Sequence, residues 1–213
     1  HEHLTNESSA DGFGTIKADG SITLTTNGSL INIRDIESGK TLTIHAAAAV
    51  TNKETGTLNG NDVVITTGDV DNTGLISANA TTSIASSHVK NHENGRMYGD
   101  DIAITADTIE NRQNTELEEQ LAAAMAVLAE KEQALDNAYR VDVTKYTNAS
   151  QEQQYKDAIA AASKAYDDQL AVVQGIQKDM ATHKSGTIAA RNNLTVTGAK
   201  SVFNSSGALL YSG

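Results

Sequence analysis

His88 and His92 stand four residues apart, with Glu93 beside them. On a helix, that spacing would put both imidazoles on one face, where they could ligate a divalent metal. The surrounding Ser87-His88-Val89-Lys90-Asn91 reads instead as a strand entering a turn. The pair then shares no helical face, and no metal site is expected. Asp62 and Asp101 form a second constellation, each preceding an alternating strand, with Asp69, Asp71 and Asp100 nearby. Two carboxylates roughly 5–10 Å apart could hydrolyse a glycosidic bond. No aromatic platform or arginine cluster accompanies them in the sequence, so solvated turn carboxylates are the reading adopted and catalysis is not expected. No glycine-rich phosphate loop, nucleophile elbow or nine-residue calcium repeat is present, and no cofactor is expected. Four of the six tyrosines fall between positions 139 and 166. Tyrosine is a preferred anchor at interfaces. The candidate partner-binding residues are therefore Tyr139, Arg140, Val143 and Tyr146, at and near the tip of a helical segment described below.

Composition limits the rest. The formal net charge is −11, which argues against nucleic acid as a partner, because phosphate binding needs clustered Lys and Arg. There is no Cys, so disulfides and thiolate metal sites are excluded. Pro and Trp are also absent and aromatics make up 4%. A thin core of many similar layers suits such a mix better than one thick core does. The opening His1-Glu2-His3-Leu4 has no basic region followed by an apolar stretch, so an export signal would lie elsewhere.

A repeat runs through the chain. A β-branched residue, any residue and then Asn recur as Val50-Thr51-Asn52, Val70-Asp71-Asn72, Val89-Lys90-Asn91 and Ile109-Glu110-Asn111. The asparagines step by 72−52=20, 91−72=19 and 111−91=20. Two apolar columns keep the same period: Leu24, Ile44, Ile65, Ile84, Ile104, and Ile16, Ile36, Leu58, Ile76, Met97. Inside each unit, segments such as Leu42-Thr43-Ile44 and Ile102-Ala103-Ile104-Thr105 alternate with period two, the mark of a strand. About three short strands per twenty residues predicts one coil of a right-handed parallel β-helix, each strand stacked about 4.8 Å from its counterpart. An amide both donates and accepts, so the Asn column is expected to hydrogen-bond along the stack. A leucine-rich repeat has a similar period but needs leucine where this chain places threonine.

The pattern stops after Asn111 and resumes at Ser185-Gly186-Thr187-Ile188. The step from Asn111 to Asn204 is 93, one coil of 20 plus an insertion of 73. Thr115 with Glu118, and Ser150 with Gln153, have capping-box spacing and predict two helices, about 116–139 and 151–183. Their apolar stripes, Leu117, Leu121, Ala124, Leu128, Leu135 and Tyr155, Ile159, Ala162, Tyr166, Leu170, Val173, Met180, step by three and four. That is the seam of an antiparallel coiled coil. The expected domains are 1–113 as β-helix coils, 114–184 as the helical hairpin, and 185–213 as coils resumed. His1 to Gly12 reads as irregular, and the absence of a polar cap at either end predicts a longer native chain.

Gly74-Leu75-Ile76-Ser77-Ala78, Gly186-Thr187-Ile188-Ala189-Ala190, Asn192-Asn193-Leu194-Thr195-Val196-Thr197 and Val202-Phe203-Asn204-Ser205-Ser206-Gly207 resemble the coils of filamentous haemagglutinin-type exoproteins of two-partner secretion systems. That family includes adhesins and contact-dependent growth inhibition toxins. The resemblance covers about 14–113 and 185–213, and the insert matches no motif. It implies a secreted, monomeric segment at the bacterial cell surface that meets an outer-membrane transporter during export. It also implies a protein or glycan receptor on a target or host cell, met by a mid-filament segment. A passive stalk and a carbohydrate-active β-helix enzyme are the alternatives.

Overall fold

The computed structural model describes residues 3–7, 14–140, 148–205 and 207–213. Its elements are β1 (His3–Asn6), β2 (Ile16–Ala18), β3 (Ile22–Thr26), β4 (Ser29–Asn32), β5 (Asp35–Ser38), β6 (Thr41–Asn52), β7 (Thr57–Asn72), β8 (Leu75–Ala85), β9 (His88–Asn91), β10 (Arg96–Asn111), α1 (Thr115–Tyr139), α2 (Ala149–Thr182), β11 (Thr187–Asn204) and β12 (Leu209–Ser212). The protein is mainly β, and its twelve described strands join one sheet by parallel pairing. Two compact units result: His1–Asn114 with His183–Gly213, and Thr115–Thr182. Neither helix is long and apolar enough to cross a membrane.

The apolar columns are pairing columns. Ile16, Ile36, Leu58, Ile76, Met97, Ile188 and Leu210 are successive register partners. So are Leu24, Ile44, Ile65, Ile84, Ile104 and Val196. Ile36, Leu58, Ile76 and Met97 are fully buried, as are Ile44, Ile65 and Ile104. Each such side chain contributes about 1.5–3 kcal/mol through removal from water. Thr82 occupies an interior position in the column Leu42, Val63, Thr82, Ile102. Its hydroxyl donates to the Tyr98 carbonyl at 2.9 Å, which offsets the cost of burying it.

The asparagine column is a continuous amide ladder. Nδ2 of each residue donates to Oδ1 of the next, from Asn6 through Asn32, Asn52, Asn72, Asn91 and Asn111 to Asn204, at 2.7–2.8 Å. The remaining hydrogen reaches backbone, as from Asn52 to the Leu75 carbonyl at 3.1 Å. Asn32, Asn52, Asn72, Asn91 and Asn111 have no exposed surface. Asn6 and Asn32 extend the column beyond the motif read from sequence, because Leu4 and Leu30 stand where that motif asked for a β-branched residue. Asn6 also corrects the expectation of an irregular start: His3–Asn6 pairs in register with Ser29–Asn32.

In the helical unit, Ala124 and Val173 are buried and the other stripe residues are partly buried. Gln169 Nε2 donates to the Ala124 carbonyl at 2.9 Å. The cap of α2 differs from expectation. Asn148 Oδ1 accepts from the Gln151 amide at 3.0 Å, so Asn148 closes the helix start and Ser150 lies inside it.

Candidate functional site

The turn that follows each ladder asparagine decides where a functional insert can enter. After Asn52 and Asn91 the turn holds three residues and then a glycine. The glycine amide closes it by donating to the carbonyl of the residue after the asparagine: Gly56 to Lys53 at 2.7 Å and Gly95 to His92 at 2.8 Å. A Cβ on Gly56, Gly95 or Gly186 would collide with Oδ1 of the preceding Asn52, Asn91 or Asn111, so close approach demands glycine there. Gly186 donates to the Arg112 carbonyl at 2.7 Å, the same closing bond, although 186−112=74 positions separate them. The insert therefore leaves and re-enters through a turn that stays closed.

Of the candidate partner residues, Tyr139 is the last residue of α1 and 58% exposed. Arg140 follows it, with Nη2 2.9 Å from Asp136 Oδ2 one turn back. Val143 and Tyr146 lie outside the described residues. Tyr155 and Tyr166 are partly buried on the stripe of α2.

His88 and His92 meet separate carboxylates. His88 Nδ1 is 2.6 Å from Asp69 Oδ1, and His92 Nε2 is 2.7 Å from Asp71 Oδ1. Among the described residues no group of three or more His, Asp or Glu could hold a metal ion. Glu93 takes a left-handed backbone, φ 55°, uncommon for a residue with a Cβ. Its carboxylate is 3.7 Å from His92 Nδ1. The hydrogen bond from His92 holds the Asp71 carboxyl below the ordinary carboxylate range, against the opposing effect of burial. A depressed folded pKa means stability present above the unfolded value of about 4 and lost as pH falls through the folded one. The Asp71 side chain is 46% exposed, so screening limits the effect to under about 1 kcal/mol. Asp71→Asn should melt slightly below the parent at pH 7, with the gap closing below about pH 4 as both side chains become neutral. A gap that widens in acid would contradict the assignment.

Asp62 and Asp101 flank Thr81 in one column, two strand spacings or about 10 Å apart. Both are engaged as structural acceptors. Asp62 takes the Thr81 amide at 3.3 Å and Asn61 Nδ2 at 3.1 Å, and Asp101 takes Asn193 Nδ2 at 2.7 Å.

Sequence reasoning missed one face of the strand unit. Tyr98, Ala189 and Tyr211 are successive register partners, with Tyr98 37% and Tyr211 53% exposed. Tyr98 borders two grooves. One, of about 500 Å³, has Ala189 and Ala190 in its lining and carries Arg191 at its margin, ion-paired to Asp100 at 3.0 Å. The other, of about 560 Å³, is lined by Arg96, Lys184, Thr187 and Leu209. The face thus holds the aromatic and arginine residues that appear scattered in the sequence. Counting from the ladder would have found the pair, since 98−91=7 and 211−204=7. No family model, curated protein or solved structure matches the chain.

Proposed function

We propose that this chain is a structural and recognition segment of a secreted bacterial cell-surface exoprotein, in which a right-handed parallel β-helix carries an antiparallel helical hairpin that binds a receptor on another cell. The right hand follows from the steric preference of parallel crossovers. The antiparallel sense follows from reach. Were the helices parallel, the bond between Gln169 and Ala124 would put the end of α1 about 50 Å from the start of α2. Ten residue steps cover at most about 36 Å.

One observation carries the recognition role. The turn at Arg112 and Gly186 keeps its closing bond, and Asn111 bonds Asn204 as its neighbours bond theirs. The strand stack does not need the insert, so the insert is kept for something other than building the stack. Exposed Tyr139 and its neighbour Arg140 at the C-terminal end of α1 suit an anchor on a protein or glycan receptor. Binding, not catalysis, is the proposed activity, and the outer-membrane transporter of the parent protein is the partner during export. The exoprotein assignment rests on the resemblance of the repeats.

The test uses labelled chain retained by target cells. Replacing both Tyr139 and Arg140 by alanine should lower retention about tenfold or more, with helical circular dichroism unchanged. Equal retention would return the hairpin to the role of a passive spacer.

A further inference from the structure

We propose that the Tyr98 face is a second binding site, and that its ligand is a linear acidic oligosaccharide. The site lies wholly within the strand unit and does not depend on the hairpin's role. Tyr98 and Tyr211 stand on either side of Ala189, so two aromatic side chains border a gap floored by a methyl group. The gap spans two strand spacings, about 10 Å. A linked pyranose chain advances by about one strand spacing, roughly 5 Å, per sugar, so alternate sugars meet a tyrosine. In an extended peptide, residues three apart span about the same 10 Å but point to opposite faces, so they do not both meet a tyrosine. Tyrosine presents an apolar ring and a polar tip, which suits a sugar's C–H face and hydroxyls. The Tyr98 backbone is fixed by the Thr82 hydroxyl beneath it.

Charge identifies the sugar as acidic. Acidic residues outnumber basic ones by 27 to 16, and among the described residues Arg96 and Lys184, like Lys40, Lys131 and Lys178, have no ion-pair partner. Arg96 and Lys184 are both exposed and line the same groove, whose lining among the described residues contains no Asp or Glu. Glu54 approaches its rim but accepts from Asn94 Nδ2 at 2.7 Å. Two unpaired cations in an acidic chain are complementary to a carboxylate-bearing ligand. On the other side of Tyr98, Arg191 is held by Asp100, so that donor is already oriented for a hydroxyl. A nucleic-acid duplex carries one charge per about 1.7 Å, about three times the density of one carboxylate per sugar, so the net charge of −11 opposes it more strongly.

The experiment titrates the full chain with hexagalacturonate and hexamannuronate, with cellohexaose as the neutral control and a thymidine decamer as the competing polyanion. At least one acidic hexamer should bind with Kd below about 1 mM, at least about tenfold tighter than cellohexaose. Tyr98→Ala should weaken it about tenfold, and Tyr98→Phe should retain it. Arg96→Gln with Lys184→Gln should weaken it similarly and remove most of its salt dependence. Substitutions at Tyr139 and Arg140 should leave it unchanged, which separates this site from the hairpin tip. Failure of both acidic hexamers to bind at about 1 mM overturns the proposal. So does unchanged affinity in Tyr98→Ala, or tighter binding of the decamer.

Discussion

Asn91→Ala should destabilise the strand unit by about 3–5 kcal/mol. Asn91 has no exposed surface, accepts from Asn72 at 2.7 Å, and donates to Asn111 Oδ1 at 2.8 Å and the Gly95 carbonyl at 3.1 Å. Alanine leaves one hydrogen of the Asn72 amide, whose other still reaches the Gly74 carbonyl, and the Asn111 oxygen buried and unmet, and each such group costs about 1–3 kcal/mol. A domain of this size has roughly 5–15 kcal/mol in total, so the melting temperature should fall by about 10 °C. Hydrogen exchange should place the loss in the repeats on either side of Asn91, because a stack of this kind couples nearest neighbours. Asn91→Asp is nearly the same shape, yet it should be as damaging at pH 7. Its second carboxylate oxygen would face the Gly95 and Thr187 carbonyls to which the amide now donates. Asn72→Ala combined with Asn91→Ala should cost less than the two separately, since they share one bond. A loss under about 1 kcal/mol for Asn91→Ala would show that the ladder adds little beyond the apolar columns.

Removal of residues 114–184 should leave the strand unit folded and abolish retention by target cells. The joined turn would run Asn111-Arg112-Gln113-Ser185-Gly186, with three residues between asparagine and glycine. That equals the turns from Asn52 to Gly56 and from Asn91 to Gly95. The closing bond from Gly186 to Arg112 already exists, so the shortened chain has no new geometry to find. A loop of some seventy residues also adds closure entropy, which its removal returns. Circular dichroism should lose the helical signal and keep the strand signal, with the melting temperature within a few degrees of the parent. Aggregation or loss of strand signal would mean that the insert supports the stack. A folded product that still binds target cells would mean that recognition lies elsewhere. Lys184 belongs to the strand unit but falls within the deleted segment, so part of the oligosaccharide affinity should leave too, whereas Tyr98→Ala touches only that second site.

Much of the strand unit was legible because its pattern is redundant. Ile44, Ile65, Ile84 and Ile104 keep one period, and so do Asn52, Asn72, Asn91 and Asn111. Parallel pairing in register converts equal sequence spacing directly into contact. The misses have particular causes. Leu30-Ile31-Asn32 escaped because leucine fills the same inward space as valine without being β-branched. Asn148 and Ser150 both favour helix starts, and only the backbone path decided that Asn148 takes the Gln151 amide.

The sequence by itself determined the repeat, its parallel register, the amide column and the point where two helices interrupt it. These are one-dimensional properties: each repeat meets mainly the repeats on either side, so their spacing along the chain is enough. Only the tertiary structure decided that the turn at Arg112 and Gly186 stays closed across the insert. It alone brought Arg96, Lys184 and Tyr98 to one groove, with Tyr211 beside Ala189. Those neighbours are set by which side of a strand each residue faces and by where the interrupted chain resumes. Spacing within a single repeat does not encode either one.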